Sequence, residues 1–215
     1  GYDVHLVERS QNLGGNLQNL YYVAEGFDPQ NLLQELIERV QNQARIHLHT
    51  QTEVVNYSGQ AGHFRTELRS KQNGHSDQLI IEHGVTIVAT GGQETRQHPL
   101  LDYPQVITQQ DLEGKIIHQP EDIAAINDIV MIQCVQPEGS PDYCSRICCT
   151  NTIKNAIRIK QSNPSCNVTV LYKNMVTYGF REQYYTEARR LGVVFVRYTD
   201  ANPPEVILKD DQLFV

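Results

Sequence analysis

Apolar and polar positions follow one another along the chain in blocks that predict an α/β protein. Residues 2–8, YDVHLVE, form a short apolar run that closes on a glutamate, which is typical of a buried parallel strand. Residues 27–43 then repeat leucine, isoleucine and valine at helical spacing, with Asp28 as a helix cap and Pro29 at the first helical position. Residues 45–50 predict the next strand.

Three further segments, residues 52–59, 63–70 and 78–83, have strand-like composition and predict a small antiparallel meander. Turn residues over 71–77 separate the last two. Residues 84–92, GVTIVATGG, then predict a buried strand that ends in a glycine-rich loop. This order of strand, glycine-rich loop, helix, strand, meander and strand is the order of flavin-binding Rossmann domains.

A second α/β unit follows a polar, loop-rich connector. Its predicted strand ends at Cys134, and a helix stopped by Asn163-Pro164 comes next. Strand, helix and strand then alternate to residue 198, which favours a parallel sheet with right-handed crossovers. The sequence therefore predicts two Rossmann-like domains: residues 1–118, a partial FAD-binding domain with the meander, and residues 119–215, a βαβαβ domain that carries the cysteine cluster.

Composition narrows the class of protein. The chain of 215 residues carries a formal net charge of -7 and no long basic run, which argues against nucleic acid as a partner. No apolar stretch approaches the ~20 residues of a membrane span, and no signal peptide is visible, so we expect a cytoplasmic protein. The chain starts without an initiator methionine and ends in a strand-like segment. We therefore expect an internal fragment of a longer protein, inactive by itself.

Four of the five cysteines lie within residues 134–149, and disulfides, core packing and a metal centre compete to explain them. The absence of a secretory signal argues against disulfides. Cys144 and Cys148 are four residues apart, which predicts a shared helix face near the end of the strand that carries Cys134. The helix N-terminus should also lower thiol pKa values, which favours metal binding.

The spacing of these cysteines bears on the kind of metal centre. Zinc usually takes a C-x2-C pair, and none is present. A [4Fe-4S] cluster needs four thiolates and tolerates irregular spacing, so Cys134, Cys144, Cys148 and Cys149 are candidate ligands. Buried structural thiols remain the alternative. Cys166 lies outside the group and is treated as incidental.

Candidate flavin contacts lie in the first half of the chain. An acid at the end of a Rossmann strand, here Glu8, can bind a ribose hydroxyl, although taken alone it is explained more simply as a solvated charge. The Gly14-Gly15 pair and the later Thr90-Gly91-Gly92 let backbone approach a pyrophosphate or flavin closely. Together the three features point to FAD. The second unit lacks G-x-G-x-x-G, which argues against ordinary NAD(P)H binding there.

The segments GYDVHLVE, LGGNL, VTIVATGG, VMIQCV and above all YCSRICCTNTIKNAI resemble the A subunit of heterodisulfide reductase and its homologues in anaerobes. The resemblance implies a thioredoxin-reductase-like FAD/NAD(P)-binding architecture in which an iron–sulfur cluster replaces the pyridine-nucleotide site. It implies Cys134, Cys144, Cys148 and Cys149 as [4Fe-4S] ligands, and Glu8, Gly14, Gly15, Thr90 and Gly91 near FAD.

The same resemblance implies an oxidoreductase subunit that transfers electrons. Its partners would be the other subunits of a heterodisulfide reductase-like complex and hydrogenase or dehydrogenase electron donors. No side chain is assigned as catalytic, because the cofactors do the chemistry. Two alternatives stay open: a thiol–disulfide oxidoreductase that uses the Cys144, Cys148 and Cys149 group directly, and a zinc-bound structural module that docks a partner.

Overall fold

The computed structural model describes residues 1–71, 77–136, 139 and 144–215. The chain divides into two compact units: residues 1–18 with 28–93, and residues 19–27 with 94–215. This division differs from the boundary after residue 118 expected from the sequence. The physical reason is the helix that ends at His118, whose Leu112 and Ile116 are buried in the core of the second unit.

The first unit opens with a short βαβ arrangement. Strand β1 (Val4–Val7) pairs in parallel with β2 (Ile46–His49), and helix α1 (Pro29–Gln41) connects them. Asp28 caps α1 as expected, because its carboxylate accepts hydrogen bonds from the Gln30 and Asn31 amides at 2.8 and 3.2 Å.

The predicted meander is confirmed. Strands β3 (Thr52–Gln60), β4 (His63–Ser70) and β5 (Asp77–His83) form an antiparallel sheet in that order. Leu68 and Ile81 are buried within the unit. The turn expected over 71–77 falls mostly on residues 72–76, which lie outside the described residues.

The prediction of a buried strand over residues 84–92 is wrong. Within the described part of the chain this segment pairs with no strand, and Val85, Ile87 and Val88 are 77%, 86% and 79% exposed. The sheet of the first unit that could receive it contains β1 and β2 alone. An apolar run indicates that a segment could be buried in a sheet. It becomes a strand only if an adjacent strand provides hydrogen-bond partners for its backbone N–H and C=O groups.

The second unit contains the predicted βαβαβ order. Strands β6 (Asp128–Ile132), β7 (Asn167–Tyr172) and β8 (Val194–Arg197) form a parallel sheet in sequence order. Helix α4 (Cys148–Ser162) connects β6 to β7, and α5 (Glu182–Arg190) connects β7 to β8. Together with the meander, this confirms the predicted α/β class.

Smaller elements complete the second unit. Helices α2 (Gln109–His118) and α3 (Pro120–Ala124) precede β6, and α2 packs on α4. A hairpin of β9 (Ile207–Lys209) and β10 (Gln212–Phe214) closes the chain. The core of this unit is formed by apolar side chains of α2 to α5 and the parallel strands, among them Ile153, Ala156, Ile159, Val168, Val170 and Ala188. No helix within the described ranges is long and apolar enough to cross a bilayer.

A buried polar network holds residues 19–27 in the second unit. The Lys154 ammonium lies 2.7 Å from the Glu113 carboxylate, and both side chains are almost fully buried. Lys154 also donates to the Tyr22 carbonyl at 2.9 Å, while Glu113 accepts from the Tyr21 amide at 2.7 Å. The Tyr22 hydroxyl donates to Asn155 at 2.7 Å. Each buried charge is thus paired and hydrogen-bonded, which is the condition under which such pairs are tolerated.

Candidate functional site: the cysteine group

The described cysteines of the 134–149 group lie where β6 ends and α4 begins. Cys134 follows β6 in a left-handed backbone conformation (φ 60°) that residues other than glycine rarely adopt. Cys148 and Cys149 are the first two residues of α4, and Cys144 lies on the exposed segment before it. The expected shared helix face of Cys144 and Cys148 is therefore wrong, because the helix begins four residues later than the spacing suggested.

Two of these thiols converge on one carbonyl group. The Cys134 and Cys149 thiols donate to the Asn174 carbonyl oxygen, at 3.9 and 3.6 Å. The Val176 amide donates to Cys149 Sγ at 3.4 Å. Asn174 and Val176 follow β7, the strand beside β6. Because the carboxyl ends of parallel strands meet at one sheet edge, the topology itself brings the three segments together.

The vicinal pair at the start of α4 is electrostatically asymmetric. The neighbouring Cys148 thiol lowers the pKa of Cys149 to about 7; burial opposes this lowering and the Val176 amide supports it. The Cys149 thiol, together with burial, raises the pKa of Cys148. A lowering of thiol pKa values by the helix N-terminus stays a prediction.

A four-thiolate ligand set stays a prediction. In the chain as described, no group of three or more histidine, cysteine, aspartate or glutamate side chains forms an arrangement that could hold a metal ion. Residues 137, 138 and 140–143, which contain most of the predicted loop between Cys134 and Cys144, lie outside the described residues.

The chemistry around the thiols nevertheless fits an iron–sulfur cluster. Thiolates are its ordinary ligands, and hydrogen bonds to sulfur tune it. The Val176 amide already makes such a bond. Three buried side-chain oxygens in the described ranges have no hydrogen-bond partner, and they belong to Thr150, Thr152 and Thr177. All three residues lie within three positions of Cys149 or directly after Val176, so the buried polar groups that lack partners cluster beside the thiols.

The candidate flavin residues lie in the first unit. The Glu8 carboxylate accepts a hydrogen bond from the Ser10 amide at 2.7 Å, which supports the turn after β1. The Asn16 side-chain amide donates to the Gly92 carbonyl, and this contact joins the loop of Gly14 and Gly15 to the loop of Thr90 and Gly91. This contact holds the two loops together; binding of FAD to them stays a prediction.

Gly14 is the one flavin candidate at which packing excludes a side chain. Its φ is 117°, and a Cβ atom there would lie 2.7 Å from Leu33 Cδ1 on α1. Gly15 is also left-handed (φ 49°), but a Cβ atom would meet nothing within 4 Å. Gly14 therefore keeps the loop against α1, while Gly15 leaves open space beside the chain. The open space at Gly15 is the property that suits close approach of a cofactor, whereas Gly14 is explained by its packing on α1.

Sequence reasoning missed Asn174 and Val176, because residues after β7 carry no cysteine or other marker of a site. It also missed a stack of imidazoles on β1 and β2. His5 Nδ1 lies 2.9 Å from His49 Nε2, and the His5 ring stacks on those of His47 and His49 at centroid distances of 4.8 and 5.2 Å. Alternation along the strands put these residues on one face, and the parallel register placed His5 opposite His47.

The histidine stack predicts a loss of stability in mild acid. Burial lowers the pKa of His5, with further lowering by the charges of His47 and His83 against a small rise from Asp3. Burial lowers the pKa of His49 too, followed by the charges of His5 and His47. A lowered pKa means that the folded state resists protonation, so the unfolded state binds more protons as pH falls below the ordinary value of 6.5.

We expect the urea midpoint to decrease between about pH 7.5 and pH 5.5, and His49→Gln to flatten this dependence. His63→Gln, on β4, is the matched control and should leave the dependence in place. A parent protein whose midpoint is the same at both pH values would contradict the prediction.

The chain matches several curated proteins and no protein-family model. It is 43% identical over 91 residues to the A subunit of the ferredoxin:CoB-CoM heterodisulfide reductase of Methanosarcina acetivorans, covering 40% of this chain and 11% of that protein. It is 32% identical over 162 residues to the A subunit of the H(2):CoB-CoM heterodisulfide,ferredoxin reductase of Methanothermobacter marburgensis, covering 66% and 24%. The resemblance to the A subunit of heterodisulfide reductase is confirmed.

A third relative carries a cofactor in its name. The iron-sulfur A subunit of the CoB--CoM heterodisulfide reductase of Methanocaldococcus jannaschii is 37% identical over 158 residues, covering 63% of this chain and 23% of that protein. The chain thus spans 11% to 24% of the length of these three heterodisulfide reductase subunits. Bacillithiol disulfide reductase Bdr (YpdA) from Bacillus cereus superposes with a TM-score of 0.48 at 13% identity, covering 98% of this chain and 66% of that one. A similarity of that size identifies neither fold nor function.

Proposed function

We propose that this chain is part of a flavin- and iron–sulfur-dependent oxidoreductase subunit of the heterodisulfide reductase type, and that it transfers electrons. The observation that carries the proposal is the convergence of Cys134 and Cys149 on the Asn174 carbonyl, with a hydrogen-bond donor from Val176 on one sulfur. Similarity to three proteins named as heterodisulfide reductase subunits supports the same conclusion.

Cys134, Cys144, Cys148 and Cys149 would hold a [4Fe-4S] cluster, which supplies one-electron transfer when bound. Cys149 is fixed by burial and by the Val176 amide, so it would serve as the rigid ligand. Cys144 is exposed on the segment before α4, so its thiol would be accessible to the cluster. Cys134 has a left-handed backbone conformation just after β6, and its thiol donates to the same Asn174 carbonyl as that of Cys149.

The flavin would be bound in the first unit. FAD supplies the two-electron chemistry when bound. The Glu8 carboxylate would accept from a ribose hydroxyl, while the loops of Gly14-Gly15 and Thr90-Gly91 would let backbone approach the cofactor. The bond from Asn16 to Gly92 supports this assignment, because it already holds the two loops against each other.

The partners we propose are the other subunits of a heterodisulfide reductase-like complex, together with a hydrogenase or dehydrogenase as electron donor. The names of the relatives include H(2) and ferredoxin, which supports redox partners of this kind. A cytoplasmic location remains part of the proposal.

A second function is favoured by the lowered pKa of Cys149, which makes its thiol the more readily ionised one. As a thiol–disulfide oxidoreductase, Cys149 would attack the disulfide of a partner protein, and Cys144 would resolve the mixed disulfide. A Cys144–Cys149 disulfide would then form as the partner takes up two electrons and two protons. This function needs no cluster, so metal content separates it from the first.

The deciding experiment is iron, sulfide and zinc analysis with a visible spectrum, on protein purified and reconstituted without oxygen. About four irons and four sulfides per chain, with broad absorbance near about 400 nm, would support the electron-transfer proposal. One zinc without colour would replace it with a structural docking module. No metal, with thiols that cycle against a dithiol reagent, would favour the dithiol enzyme.

A further inference from the structure

Buried hydroxyl groups without partners are unusual, because a buried polar group normally finds a hydrogen bond. In the described ranges, the buried side-chain oxygens and nitrogens that lack a hydrogen-bond partner are the hydroxyls of Thr150, Thr152 and Thr177. Thr152 is 0% exposed and Thr177 is 4% exposed, so bulk water does not satisfy them. Their positions beside the cysteine group call for a physical explanation.

Thr152 lies one helical turn after the vicinal cysteines. It is three residues from Cys149 and four from Cys148, so all three side chains share a face of α4. Side chains on a helix lean toward its N-terminus, which tilts the Thr152 hydroxyl toward the turn that carries both thiols. A threonine in a helix often donates to the carbonyl four residues earlier; this one does not.

Thr177 lies in the loop after β7. It directly follows Val176, whose amide donates to Cys149 Sγ at 3.4 Å. The two buried hydroxyls thus belong to the two segments that supply the vicinal thiols and the backbone donor to Cys149. A buried donor without a partner at this place is explained if its acceptor belongs to the cluster.

We propose that the hydroxyls of Thr152 and Thr177 donate hydrogen bonds to sulfur at the cysteine group when the cluster is bound, and so raise its reduction potential. The inference rests on the proposed iron–sulfur function. The reduction potential rises for an electrostatic reason. The reduced cluster is more negative than the oxidised one, so a hydrogen-bond donor to sulfur stabilises the reduced state more.

Thr152→Val and Thr177→Val test this, because valine keeps the shape and removes the hydroxyl. Without metal, we expect Thr152→Val to melt above the parent by about 2 to 4 °C, since it removes a buried polar group that has no partner. With the cluster, we expect each variant to have a more negative midpoint potential. A tenfold change in the reduction equilibrium would be a shift of about 59 mV.

Thr152→Ser keeps the hydroxyl and should return the potential to that of the parent. Thr52→Val is the matched control: Thr52 is 4% exposed, but its hydroxyl donates to the Thr50 carbonyl at 2.8 Å, so this variant should melt below the parent and leave the potential unchanged. Parent iron content is measured in the same samples.

Three results would count against the inference. If the parent protein holds iron and every variant has the same midpoint potential as the parent, the role of the two threonines is overturned, but the iron–sulfur proposal stands. A metal-free Thr152→Val protein that melts below the parent also overturns that role. A parent without iron overturns the proposed function and this inference with it.

Discussion

Cys148→Ser is expected to remove most of the iron from reconstituted protein, from about four atoms per chain to less than about one. Serine is a poor ligand for the soft metal of a cluster, and three remaining thiols do not complete a four-thiolate site. Cys148 is half-buried at the first turn of α4 and lies outside the core cluster, so its replacement leaves the core of the second unit in place. Iron analysis and the visible spectrum measure the loss, and far-ultraviolet circular dichroism reports the fold.

Cys166→Ser provides the control for this variant. Cys166 is fully buried in the core cluster of the second unit, far along the chain from the candidate ligands. Its replacement should lower stability through the buried hydroxyl and leave the iron content per folded chain unchanged. Equal iron in the parent and in Cys148→Ser would show that the ligand assignment is wrong, whatever happens at Cys166.

Lys154→Met is expected to destabilise the protein by about 3 to 5 kcal/mol, because it leaves the Glu113 carboxylate buried without its counterion. The two groups lie 2.7 Å apart with side-chain exposures of 3% and 4%, so solvent cannot replace the missing ammonium. The variant also removes the donor to the Tyr22 carbonyl that holds residues 19–27 in the second unit. Urea denaturation measures the change, and limited proteolysis near residues 19–27 should become faster.

The double variant Lys154→Met/Glu113→Leu shows whether the single variant loses stability because Glu113 lacks its counterion or because side-chain contacts have changed. Replacement of a whole buried ion pair by apolar side chains is often neutral, so the double variant should recover much of the stability that the single variant loses. Lys173→Met is the surface control, since Lys173 pairs with Asp200 in an exposed ion pair. This variant should lose only a small fraction of the unfolding free energy that Lys154→Met loses. A double variant less stable than Lys154→Met would contradict the pairing argument.

The elements that sequence alone determined are those governed by local chemistry. Asp28 and Pro29 start α1 because a carboxylate cap and a proline satisfy the first turn whatever surrounds it. The meander and the βαβαβ order follow from period-two and helical patterns that hold within each segment. The resemblance to the A subunit of heterodisulfide reductase was also visible in the residues, because the cysteine-rich stretch at 143–149 is specific.

Tertiary structure decided the features that depend on neighbours in space. The apolar segment at 84–92 has the composition of a buried strand but remains exposed, since strand pairing comes from another segment and not from the run itself. The start of α4 at Cys148 moved Cys144 off the helix, and helix starts are set by capping and packing as much as by spacing.

The partners of the candidate site were equally invisible in the sequence. Asn174 and Val176 contact the thiols because parallel strands end at one edge of a sheet, a relation between segments about 25 positions apart in the chain. Lys154 is buried against Glu113 of α2, and no local pattern around either residue indicates that pairing. Local patterns determine which elements form, whereas burial and electrostatic pairing depend on which elements meet.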